Sequence, residues 1–114
     1  MSFPHMFPFQ AGTTWYPAAD VYETVDAILV YIDVAGINRD KLTVTAEQTN
    51  VIIAGERLFS SEHNICRIHQ LEIEHGFFER TLPLPVPVDV KATTSSCENG
   101  FLIITLPKLH QKGK

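Results

Sequence analysis

VKATTSSCENGFLIITLPK, residues 90–108, reads as two strands and the turn between them. Residues 90–96 are rich in Thr and Ser, with alternating side chains that suit a strand. Glu98-Asn99-Gly100 has the chemistry of a tight hairpin, because Asn and Gly tolerate the positive φ that a two-residue turn demands. Phe101 to Leu106 is a run of apolar and β-branched residues. Pro107 stops it, since proline has no N–H to give to a ladder.

Working back from this hairpin, the same grammar repeats. Gly76 opens a strand over 77–82. Pro83, Pro85 and Pro87 then alternate with Leu84, Val86 and Val88, which makes an extended connection. Val51 to Ala54 is a short β-branched run, expected to end at Gly55. Gln48-Thr49-Asn50 reads as a turn. Leu42, Val44 and Ala46 alternate with Thr43 and Thr45, the mark of a half-buried strand. In residues 25–34, Ile28, Val30, Ile32 and Val34 share one face. Ala27, Leu29 and Tyr31 on the other face are largely apolar too, which predicts a central strand. Residues 18–23 form a short strand before it.

No segment carries an amphipathic helix of ten or more residues, and no internal repeat is visible. Seven to eight short strands separated by turn chemistry predict an all-β chain, an immunoglobulin-like β-sandwich. The 114 residues fit one domain. Residues 18–108 are expected to form it, between an arm at 1–17 and a short tail at 109–114.

Composition narrows the function classes. The formal charge is −4 and no run of Lys or Arg stands out, which argues against nucleic acid as a partner. No apolar stretch is long enough to span a bilayer, and no basic-then-apolar signal opens the chain. These features predict a cytoplasmic protein without a membrane partner. Two cysteines, Cys66 and Cys97, do not make a disulfide framework.

No catalytic constellation is visible, and no Gly-rich phosphate loop, so neither an enzyme nor a cofactor is expected. His63, Cys66 and His69 are metal-ligand types, with His75 nearby. Steps of three along a strand alternate faces, so their spacing counts against a local zinc site. The arm is different. Phe3, Phe7, Phe9, Trp15 and Tyr16 are interleaved with Pro4, Pro8, Gly12 and Pro17. So many aromatics need a surface to bury against.

Five segments, in order, resemble the small heat-shock protein family, the Hsp20 or α-crystallin-domain proteins of bacterial and plant type. Ala19-Asp20-Val21-Tyr22-Glu23-Thr24 resembles the first strand of the family's α-crystallin domain. Asp33-Val34-Ala35-Gly36 is similar to its Asp-Leu-Pro-Gly, with Ala35 where Pro is usual. Ile53-Ala54-Gly55-Glu56-Arg57 resembles Ile-Ser-Gly-Glu-Arg. Gly76-Phe77-Phe78-Glu79-Arg80, followed by Leu84-Pro85, resembles Gly-x-Phe-x-Arg…Leu-Pro. Glu98 to Lys108 resembles the closing Asn-Gly-Val-Leu…Leu-Pro-Lys, with Phe101 for Val. Two departures stand out. Pro83 occupies a position where Arg is frequent, and residues 109–114 lack the family's Ile-x-Ile or Ile-x-Val tail motif.

The resemblance implies a holdase chaperone that binds exposed apolar surface of unfolding proteins without ATP. It implies client contacts through the arm residues Phe3, Phe7, Phe9 and Trp15, which are expected to contribute most of the affinity. It also implies a groove lined by Leu42, Val44 and Val90, between the strands at 42–46 and 90–96. The irregular segment 56–75 corresponds to a loop whose strand, Ile65, Arg67 and His69 here, pairs with a partner subunit. Homodimers, and higher oligomers built from them, follow from such an exchange. Arg80 matches an interface arginine expected to pair with Glu72 or Glu74. The competing class is a p23-like co-chaperone or adaptor module, a similar sandwich that binds one specific partner as a monomer.

Overall fold

In the computed structural model, which describes residues 15–58 and 63–110, the chain forms seven strands in two antiparallel sheets. They are β1 (Ala19–Glu23), β2 (Ala27–Asp33), β3 (Thr43–Ala46), β4 (Asn50–Arg57), β5 (Gly76–Pro83), β6 (Thr94–Glu98) and β7 (Phe101–Pro107). One sheet has the order β1-β2-β7-β6 and the other β3-β4-β5. The expected β-sandwich is therefore the fold. Its only helical pieces among the described residues are short 3₁₀ turns at Arg39–Lys41 and Val90–Ala92.

Period-2 alternation builds the core. Ile28, Val30 and Ile32 of β2 lie opposite Leu106, Ile104 and Leu102 of β7, and all six are buried. Val51 and Ile53 of β4, with Phe78 and Leu82 of β5, face them from the second sheet. Among the described residues no polar or charged side chain is classed as buried. The interior thus owes its stability to apolar burial and close packing. β2 is central, as its two apolar faces predicted. On its outer face Tyr31 packs edge-on against Tyr22, with ring centroids 5.8 Å apart. The Tyr22 hydroxyl donates to the Asp20 carboxylate at 3.1 Å, and that bond raises the phenol's pKa.

The turns follow the expected chemistry. Asn99 has φ 53° and Gly100 φ 85°, so the two-residue hairpin between β6 and β7 uses both residues for the positive φ it needs. The proline connection combines residues without donors and residues whose donors reach the turn before β4. Pro83, Pro85 and Pro87 have no N–H to satisfy. Leu84 donates to the Thr49 carbonyl and Val88 to the Gln48 carbonyl, both at 2.9 Å.

Three expectations need correction. β4 does not end at Gly55 but runs to Arg57. Gly55 is there because nothing larger fits: a Cβ would lie 2.8 Å from both Leu42 Cδ2 and Phe78 Cε2. The strand expected at 90–96 begins only at Thr94. Asp89 accepts a bond from the Lys91 N–H and winds residues 90–92 into a 3₁₀ turn first. Finally, the end of the expected arm belongs to the core. Trp15 is 6% exposed, and its ring meets Phe78 edge-on at 5.3 Å. Pro17 is fully buried. An indole offers a large apolar area plus one donor, and here Nε1–H donates to the Gly76 carbonyl at 2.8 Å.

Candidate functional site

β3 and β6 are the last strands of their sheets and lie on the same side of the sandwich. Each has one row of backbone N–H and C=O groups without a neighbouring strand, the kind of edge that templates pairing with another chain. Between them opens a cleft of about 260 Å³, lined by Arg39, Leu42, Val44, Ser95, Ser96, Cys97 and Leu102. Alternation explains most of the lining. Val44 sits opposite Ile53, on the inward face, while Thr43 and Thr45 point to solvent. Cys97 sits opposite Leu102 and Ser95 opposite Ile104, so both share the inward face of β6. Leu42, Val44 and Cys97 pack partly buried against the core and form the apolar part of the lining. Arg39 comes from the 3₁₀ turn whose cap is Asn38, which accepts the Asp40 N–H at 3.0 Å.

Leu42 and Val44 thus stand where the sequence put them. Val90 does not: it belongs to the 3₁₀ turn, is 40% exposed and is not part of the cleft lining. Cys97, Ser95 and Arg39 are cleft residues that pattern reading missed. The Thr/Ser-rich composition of this strand was visible, but which of its side chains turn inward depends on the register with β7. Phe3, Phe7 and Phe9 lie outside the described residues. Trp15, named with them, is a core side chain.

The residues expected at an interface lie on β5, the other edge of the second sheet, and in the segment that precedes it. Arg80, on β5, donates from Nη1 to the Pro17 carbonyl at 2.9 Å, and its guanidinium lies 5.8 Å from the Tyr16 ring centre. With Tyr16, Glu79 and Thr81 it lines a hollow of about 560 Å³. Within the chain Glu72 instead accepts from Gln70 Nε2 at 2.6 Å. Ile65 is 50% and Ile73 69% exposed. Arg67 and His69 lie in the same segment, outside any strand of this chain. Both cysteines are free thiols, Cys66 exposed and Cys97 half-buried. Among the described residues no three His, Cys, Asp or Glu side chains gather to hold a metal ion. No helix among them is long and apolar enough to cross a membrane.

Chemically, the cleft presents apolar side chains between two unpaired strand edges, a geometry that accepts an extended peptide by backbone pairing and side-chain burial. The fold and this site define a β-sandwich binding domain of the α-crystallin type. The comparisons carry the assignment further. The model of the Hsp20/alpha crystallin family matches residues 20–114. The 17.4 kDa class I heat shock protein of Oryza sativa subsp. japonica is 32% identical over 120 residues, spanning 93% of this chain and 78% of the rice protein. Small heat shock protein C2 of Rickettsia felis is 28% identical, spanning 94% of this chain and 71% of its own. The structure of hspA from Xanthomonas axonopodis superposes with a TM-score of 0.74 at 31% identity, covering 84% of this chain and 96% of that one. A small heat-shock protein from Xylella fastidiosa superposes with a TM-score of 0.76 at 28% identity, covering 88% and 92%.

The chain belongs to the Hsp20/alpha crystallin family, the small heat-shock proteins. Its role is that of a chaperone in stress, and it is not an enzyme. Members of the family form oligomers and bind client proteins.

Proposed function

We propose that this chain is an ATP-independent holdase that captures apolar segments of unfolding proteins, with a homodimer as its building block. The observation that carries the reading is the cleft between the unpaired edges of β3 and β6, with Leu42 and Val44 in its wall. Unfolding chains expose apolar side chains and unpaired backbone, and both drive aggregation. The cleft offers a partner to each. The aromatic arm, with Phe3, Phe7 and Phe9, is the second client surface in this proposal. A cytoplasmic setting belongs to it, since free thiols such as Cys66 and Cys97 stay reduced there.

Dimerisation is supported by what one chain leaves exposed. β1 ends its sheet, and Val21 and Tyr22 on it are 41% and 53% exposed. Ile65 and Ile73 of the long loop are exposed as well. Pairing residues 65–69 of one chain with β1 of another would bury both sets and satisfy both edges. Arg80, with the loop carboxylates Glu72 and Glu74, is assigned to the same interface. Light scattering at micromolar concentration is expected to give at least twice the 12.8 kDa chain mass. A monomer there would remove the dimer from this reading.

The holdase itself is tested by light scattering of a heat-unfolding client. The unmodified chain should suppress aggregation. Val44→Asp puts a charge in the cleft wall, where burying it beneath an apolar client segment is costly. Removal of residues 1–14 takes away the arm. Each change is expected to require several-fold more chaperone for equal protection. Full protection by both variants would sink the assignment of these surfaces.

A further inference from the structure

The long loop rejoins the sandwich at Gly76, and one side chain gathers everything that meets there. Arg57, the last residue of β4, is paired with Gly76 across the ladder. Its Nε and Nη2 both donate to the Glu74 carbonyl, at 2.9 and 2.7 Å. Its Nη1 donates to the Ala35 carbonyl at 2.9 Å, in the turn after β2. Its guanidinium carbon lies 4.0 Å from the centre of the Trp15 ring. Trp15 in turn donates to the Gly76 carbonyl. Three chain segments remote in sequence converge on one planar cation.

We infer that Arg57 is the positioning residue of the long loop, fixing the direction in which residues 63–75 leave the sandwich. The chemistry singles out arginine. Three donors in a rigid fork hold two carbonyls at once, and the flat face still accepts an indole. Lysine offers a point charge on a flexible stem and cannot bridge both carbonyls in this geometry. The contact is to the backbone of Glu74, so the Glu74 side chain stays available for the interface. The Arg57 and Trp15 donors tie the loop's base to the sandwich through the Glu74 and Gly76 carbonyls. The inference rests on the proposed role of this loop in partner exchange: a loop that must meet a second subunit gains affinity when its direction is set beforehand.

The test uses the full chain with Cys66→Ser and Cys97→Ser, and a nitroxide on Ile73→Cys, a position 69% exposed. A second nitroxide, on Thr94→Cys of β6, reports the sandwich. In Arg57→Lys and Arg57→Ala the label at 73 is expected to tumble several-fold faster while the label at 94 is unchanged. The dimer dissociation constant, measured by sedimentation, should rise about tenfold, as loss of one charge-assisted hydrogen bond implies. An unchanged label at 73 would overturn the inference, and so would equal loosening at 73 and 94, which would make Arg57 a general stabilising residue. A monomeric parent chain would remove partner exchange, while the two labels would still judge Arg57.

Discussion

Replacing Trp15 with alanine is expected to lower the stability of the fold by about 3–5 kcal/mol, the usual cost of deleting a large buried aromatic. The side chain is 6% exposed, fills space against Phe78 and holds the Gly76 carbonyl. Deletion leaves a cavity, an unsatisfied carbonyl and an Arg57 without its aromatic cover. Set against a typical total of roughly 5–15 kcal/mol, this is a large fraction, and the thermal midpoint should fall by roughly 10–25 °C. Trp15 is the only tryptophan, so the intact fold should show blue-shifted emission that moves to the red only on unfolding. The alternative, in which Trp15 is an exposed arm residue that touches clients, makes the opposite forecast. Under it the alanine variant melts normally and loses client protection. Calorimetry alone separates the two.

Gly55→Ala comes second, with an expected loss of about 1–3 kcal/mol from overpacking. On propensity alone the change should help, since glycine weakens a strand interior. The added methyl would stand 2.8 Å from Phe78 Cε2 and from Leu42 Cδ2. Leu42 sits in the cleft wall and can swing away, but Phe78 is fully buried and cannot. Part of the response should therefore appear in the cleft, as a change in client protection beyond what the lower stability explains. Denaturant unfolding would measure the first effect. An alanine variant as stable as the parent would show that the inner face of β4 has room that the structure denies.

The strands and the hairpin were legible because their signals are local. Alternation in 27–33 and 101–107 assigns faces without reference to the rest of the chain, and Asn99-Gly100 specifies its own turn. Leu42 and Val44 were legible as cleft residues through resemblance and alternation together. Val90 was misplaced because Asp89, a capping residue, redirects the chain for one turn before β6 starts. Capping competes with strand extension over a few residues, and pattern alone does not weigh the two.

Two residues in particular depended on contacts between distant parts of the chain. Trp15 is surrounded in sequence by prolines and aromatics and carries no periodicity, so nothing nearby says that it is buried. Its fate is set by Phe78, Gly76 and Arg57, more than forty positions away. Arg57 stood in a recognisable motif, yet its bonds to Ala35 and Glu74 span 22 and 17 residues. Alternation, turn chemistry and composition are properties of neighbours along the chain, and they settled the all-β class and the succession of strands along the sequence. Which side chains close the base of the loop, and which line the cleft, are properties of neighbours in space. They exist only once two sheets have packed and brought remote backbone carbonyls within reach of a single donor.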